Sequence, residues 1–280
     1  MFLPFTEGIK IALIAFLAEY VDSSLGMGYG TILTPVLLLM GFKPLEVVPA
    51  VLLSEFATGL LAGFTHHKLG NVNLKPHSIN LLFILKKIRE SGIRKAFEKG
   101  TPLALKIVLL LGACSVAGTV VAVLTAVRLP KFWLTLIIGC IITAMGLVIL
   151  LTANKDRLFS WKKIMSLGLL ASFNKGLSGG GYGPIVTAGQ LLSGVEAKST
   201  VGITSLAEGL TCFVGVLAYF LTVGSLDFLR IAPYNVAGAI LSVPFAALTI
   251  KLTNPKKMKF VIGIVTLVLG ILTITRTIQP

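Results

Sequence analysis

Asp22, Glu55, Lys175 and Glu208 each stand inside a long apolar run of the chain. An ionisable side chain at the depth of a bilayer costs about 2.5–3.5 kcal/mol on insertion scales, so such residues mark places that bind, pair or carry charge. Their spacing is informative. Asp22 and Lys175 are 153 positions apart, and so are Glu55 and Glu208. The same offset superimposes two glycine-rich stretches, Gly26-Met27-Gly28-Tyr29-Gly30-Thr31 and Gly179-Gly180-Gly181-Tyr182-Gly183-Pro184. From Gly26 to Thr58 it yields thirteen identities in thirty-three ungapped positions, which is an internal duplication.

Paired hydrophobic segments interrupted by glycine or proline, at matching places in two halves, point to the binding site of a transporter. A helix that restarts after a break presents unpaired N–H groups and the positive end of its dipole, and glycine lets a ligand approach that backbone. Gly28, Tyr29, Gly30 and Thr31 in the first copy, and Gly180, Gly181, Tyr182 and Gly183 in the second, are therefore candidate substrate-binding residues in two facing anion cradles. Pro184, which needs no N–H, fits the first turn of the second restarting helix. Close helix packing is the other use of such glycines. Lys175 is a candidate counter-charge for the anion, or else half of a permanent salt bridge with Asp22. Asp22, Glu55 and Glu208 are candidate coupling or gating groups: Glu55 or Glu208 could carry a coupling proton, or could accept hydrogen bonds from the freed backbone N–H groups.

Other chemistries find no support. His66 and His67 lie beside Lys68 without a third ligand at useful spacing, so no metal site is expected. Cys114, Cys140 and Cys212 fall in apolar spans without CxxC spacing. An intramembrane enzyme would need a nucleophile and base, or a metal cluster, around one cavity; the three histidines all lie between residues 66 and 77. No Walker A sequence is present, so no ATP engine and no cofactor is expected, and a coupling ion would have to drive uphill movement.

The elements that hold these residues are membrane helices. With 55% hydrophobic residues, 13% charged and a mean hydropathy of +0.93, the 280-residue chain does not fit a soluble domain. Long apolar runs without a ten-residue alternation predict helices rather than barrel strands. The fold class is an all-α polytopic membrane protein. Residues 9–21 and 31–40 are expected as two half-spans flanking a break at 22–30, followed by full spans at 45–64, 103–127 and 132–152. A linker at 153–163, with Trp161 as an interfacial anchor, leads to the second copy: half-spans at 164–174 and 184–193 around a break at 175–183, then spans near 199–223, 230–251 and 260–276. The organisation is thus a first repeat at 1–152, with a basic loop at 65–102, and a second at 164–280. Within that loop, residues 79–88 have the spacing of a helix lying on the membrane surface, or of an ordinary loop.

The net charge of +14 sits in loops, where lysine and arginine set topology and meet anionic lipid, so nucleic acid is not an expected partner. If each broken segment dips in and returns to its own side, the loops at 65–102, 153–163, 194–198 and 251–259 share one compartment and hold 17 Lys/Arg, against six on the other side. The positive-inside rule then makes the repeats inverted, each a re-entrant helical hairpin plus three transmembrane helices, with both termini outside the cell membrane.

Several of these residues carry a family resemblance. The glycine break with Pro35–Gly41, Ser54 in the next span, Gly70-Asn71-Val72-Asn73 after it, and GGGYG, Gly194, Thr204-Ser205-Leu206 and Gly224-Ser225-Leu226-Asp227 in the second half resemble the TauE/SafE family of sulfite exporters and toluene-sulfonate permeases. The resemblance spans essentially the whole chain and implies transport of a small sulfur-containing oxyanion or organosulfonate, such as sulfite or sulfoacetate. A passive anion channel on the same scaffold, or a non-transporting membrane scaffold or receptor, is the alternative.

Overall fold

The computed structural model describes residues 3–75, 100–151, 160–193, 195, 197–249 and 255–279. The surface helix expected at 79–88 and the first part of the linker lie outside these. Among the described residues every regular element is helical. In chain order they are α1 (Phe5–Leu25), α2 (Tyr29–Leu39), α3 (Pro44–Lys68), α4 (Leu103–Arg128), α5 (Lys131–Leu151), α6 (Trp161–Ser178), α7 (Tyr182–Leu192), α8 (Ala197–Val223), a 3-10 turn at Asp227–Arg230, α9 (Ala232–Thr249) and α10 (Pro255–Ile278). Pro44–Lys68, Leu103–Arg128 and Ser199–Val223 are each long and apolar enough to cross a membrane. Large side chains such as Leu13, Leu17, Val121, Leu221 and Leu241 cover the outside, as a lipid-facing surface requires.

The expected half-spans need one correction. α2 and α7 are short, with 11 residues each and about 16 Å of length. α1, by contrast, has 21 residues and about 31 Å, enough to cross the whole hydrocarbon core rather than half of it. The helix runs past Asp22 because its polar residues are satisfied locally: Ser24 Oγ donates to the Tyr20 carbonyl at 2.6 Å and Ser23 Oγ to Glu19 Oε1 at 2.6 Å. α6 similarly continues through Lys175 to Ser178. The breaks are therefore only three residues each, Gly26–Gly28 and Gly179–Gly181. Gly26 (φ 68°) and Gly179 (φ 70°) close the two preceding helices in the left-handed conformation, their N–H groups bonding the carbonyls of Asp22 and Lys175.

Packing relates the halves by a twofold pattern. α3 crosses α8 at the centre and α5 pairs with α10. α1 packs on α9 of the other half, as α6 packs on α4. The two breaks touch backbone to backbone. A Cβ on Gly183 would lie 2.7 Å from Met27 Cα, and one on Gly180 would lie 2.6 Å from the Gly30 carbonyl carbon and 2.7 Å from Thr31 N. Glycine is thus required at both junctions by the opposite break.

Gly180→Ala and Gly30→Ala should each lower stability by about 1–3 kcal/mol, the usual cost of overpacking. Gly100→Ala, with nothing within 4 Å of the new methyl, is the neutral comparison. Thermal unfolding of the purified variants measures the difference, and equal midpoints for all three would contradict the junction.

Candidate functional site

Lys175 occupies the last turn of α6 with its side chain fully buried. Its Nζ contacts Glu55 Oε2 on α3 and lies 2.7 Å from Glu208 Oε1 on α8. The crossing of α3 and α8 thus brings the two repeat-equivalent carboxylates to a single lysine. In a low-dielectric interior each charge placed this way has an opposite partner to offset part of its desolvation.

Glu55 does a second job. Its Oε1 accepts the Gly30 N–H at 3.2 Å, while Asp22 Oδ1 accepts the Tyr29 N–H at 3.4 Å. These are two of the unpaired donors at the start of α2, and the protein's own carboxylates take them. The Cys212 thiol points at Glu55 Oε2 from 3.8 Å. Tyr29 is buried and its hydroxyl donates to Ser54 Oγ at 2.7 Å.

The second break is satisfied differently. Asn174 Nδ2 donates to the Gly180 carbonyl at 3.3 Å, and the Gly180 N–H donates to Ser178 Oγ at 3.1 Å. Each preceding helix also has an end carbonyl capped by a side chain one repeat apart. The His66 ring donates to the Ser23 carbonyl, and Tyr219 OH donates to the Gly176 carbonyl at 2.9 Å. His66 Nδ1 faces Asn71 Nδ2 at 3.1 Å. Its place is that of a backbone cap.

Between α1, α3 and α8 lies a cavity lined by Glu19, Asp22, Glu55, Thr58, Ser205 and Glu208. Its volume of about 10 Å³ admits roughly one water. Glu19 is held there by Ser23 and by Thr58 Oγ1 at 3.1 Å. Four carboxyl groups therefore line one small cavity, and two of them, Glu55 and Glu208, hold Lys175.

A family model described as Sulfite exporter TauE/SafE matches residues 11–85 and 91–273. The chain belongs to the TauE/SafE family. It is also 26% identical over 261 residues to the Probable membrane transporter protein YtnM of Bacillus subtilis (strain 168), covering 91% of this chain and 78% of that protein. This TauE/SafE member is accordingly a membrane transporter and not an enzyme.

Of the residues singled out in the sequence, Lys175, Glu55, Glu208 and Asp22 come together at the junction of the breaks. Gly30, Gly180 and Gly183 are there too, but the faces they leave open are filled by the opposite break. Tyr182 and Thr31 are buried beside them. Of the two readings of Lys175, the one that paired it with Asp22 is corrected: the lysine pairs with Glu55 and Glu208, and Asp22 turns to the Tyr29 N–H. Glu19 was not among the candidates. Its signal was an acid one turn before Asp22 in an apolar run, hidden from the repeat comparison because Ser172 occupies the equivalent position.

Lys175→Met leaves two buried carboxylates without their cation, and should cost about 3–5 kcal/mol. Combining it with Glu208→Gln should restore part of that loss, whereas combining it with Asp22→Asn should not. Thermal unfolding of both double variants checks this. Rescue by Asp22→Asn alone would restore the discarded pairing.

Proposed function

We propose that the protein is a secondary transporter of a small sulfur-containing oxyanion or organosulfonate, bound at the junction of the two breaks and coupled to protons. One observation carries the reading: Glu55 sits on the donors an anion would use, the Lys175 ammonium and the Gly30 N–H. A carboxylate in that place acts as a resident anion. Proton uptake by Glu55 removes its charge, weakens both bonds and opens to the substrate the side of Lys175 that Glu55 held and the Gly30 N–H, with Glu208 still on the lysine; loss of the proton returns the carboxylate and expels the substrate. Substrate and proton then travel together because each is disfavoured without the other.

Glu208 stays on Lys175 as the second candidate proton carrier, and Asp22 serves the first break as a gating group. The site residues remain Gly28, Tyr29, Gly30, Thr31, Lys175, Gly180, Gly181, Tyr182 and Gly183. The cavity of about 10 Å³ is too small for a multi-atom anion, so binding requires the two halves to move apart. Inverted repeats in the cell membrane, with both termini outside, suit such rocking about a fixed site. A passive channel would need a continuous open path.

Flux into proteoliposomes of sulfite, sulfate, sulfoacetate and taurine, with and without a pH gradient, tests the function. Concentrative uptake of at least one sulfur oxyanion on imposing the gradient is expected, with Glu55→Gln losing the pH dependence. Downhill flux that never concentrates substrate would favour the channel, and unaltered pH-driven uptake in both Glu55→Gln and Glu208→Gln would remove these carboxylates from coupling. For topology, a cysteine replacing Gln279 should react with an impermeant thiol reagent on intact cells and one replacing Lys257 should not. The reverse pattern would overturn the inverted arrangement.

A further inference from the structure

The two halves differ in one respect that the duplication makes visible. On α7 and α8, Thr187, Gln190, Thr200 and Thr204 are all buried. At the offset of 153 their first-half counterparts are Thr34, Leu37, Val47 and Val51, equally buried but apolar at three of the four positions. Ser193, at the end of α7, replaces Met40. A seam lined by hydroxyl and amide groups therefore exists in one half, whereas the other keeps a single hydroxyl, that of Thr34, also buried without a partner, among Leu37, Val47 and Val51.

The seam is continuous with the site. Thr187 Oγ1 donates to the Gly26 carbonyl at 2.9 Å and lies 3.2 Å from Thr204 Oγ1, to which Gln190 Nε2 donates at 2.9 Å. Beyond it, Gln190 Oε1 and Ser193 Oγ are buried without a hydrogen-bond partner. Buried polar atoms are nearly always paired, and leaving one unpaired costs about 1–3 kcal/mol. Two consecutive unpaired atoms, one turn apart and continuing a hydrogen-bonded chain that starts at the first break, are an uneconomical way to build a core. They are the expected lining of a path that a hydrated or oxygen-rich solute occupies in passing.

We propose that the α7/α8 seam, from Thr187 through Gln190 and Thr204 to Ser193, is the half-channel by which the oxyanion passes between the glycine junction and the side of the membrane where α7 ends, and that the matching seam of the first half is shut. The seam offers hydroxyl and amide donors to successive oxygens of the solute and no fixed charge to trap it. This rests on the transport function proposed above. By the charge asymmetry of the loops, the mouth at Ser193 belongs to the cytoplasmic side.

Single cysteines replacing Ser193, Thr204, Leu37 and Val51 test access. The probe is 2-sulfonatoethyl methanethiosulfonate, itself an organosulfonate, applied to the purified full-length protein, with labelling of the parent's native cysteines as background. Reaction at 193 and 204 but not at 37 and 51 is expected, and equal labelling of the two pairs, or none at 193 and 204, would overturn the assignment. Flux gives the second readout. Gln190→Leu with Thr204→Val installs the first-half residues, and should hold or raise thermal stability while slowing uptake by about tenfold or more, the effect of one lost hydrogen bond in the barrier. A stable double variant with parental flux would also sink the proposal. If that variant folds poorly, Ser193→Ala decides, since it removes an unpartnered hydroxyl: unchanged flux counts against the seam. Failure of the parent to move any sulfur oxyanion would reject the proposed function instead, and the labelling pattern would still decide whether the seam is a path.

Discussion

An ionic group at bilayer depth must find its counter-charge inside the protein, and the contact of Lys175 with Glu55 and Glu208 meets that demand here. Three helices from both halves are committed by it: α6 carries the ammonium, α3 and α8 the carboxylates. The crossing of α3 over α8 cannot slide without separating these charges. The breaks are fixed in turn, since Glu55 also holds the Gly30 N–H at the start of α2, and the α2 start presses on Gly180. Backbone satisfaction, close glycine contact and charge pairing are thus three aspects of one junction.

The duplication gives the junction its geometry, but its chemistry depends on where the copies differ. A strict repeat would place two lysines or two aspartates before the breaks; the chain has Asp22 in one and Lys175 in the other. His66 and Tyr219 cap equivalent carbonyls with different groups. At one break carboxylates accept the backbone N–H groups; at the other Ser178 accepts an N–H and Asn174 donates to a carbonyl. The two breaks are thus alike in backbone and unlike in the groups that satisfy them.

How much was legible in the sequence follows the same division. The breaks, their duplication and the burial of Glu55 and Glu208 were readable because glycine runs and mid-span acids are rare against an apolar background. The partner of Lys175 was not, because equivalence in a repeat says which residues occupy matching places, and contact depends on how the copies dock. Glu19 escaped because its counterpart Ser172 is uncharged, whereas the position of Asp22 and Lys175 is ionisable in both copies. The length of α1 escaped because hydropathy stops at Asp22, whereas the helix continues wherever serine hydroxyls bond to the preceding turn. The extent of the two short helices, bounded by glycine on one side and a loop on the other, was nearly as expected.

The exchange of helices between halves bears on how the chain is made. α1 packs on α9, with Gly8 against the Tyr234 ring and Gly238 against the Ala12 backbone, so its closest neighbour is synthesised more than two hundred residues after it. At ~5–20 residues per second, translation leaves α1 waiting for tens of seconds, carrying Glu19 and Asp22 without Lys175 or the rest of their final surroundings. Early synthesis of α1 is therefore matched by late completion of its packing. Among the neighbours of α1, α2 is made at once, and the packing of α1 on α9 can close only after the carboxyl-terminal half has been synthesised.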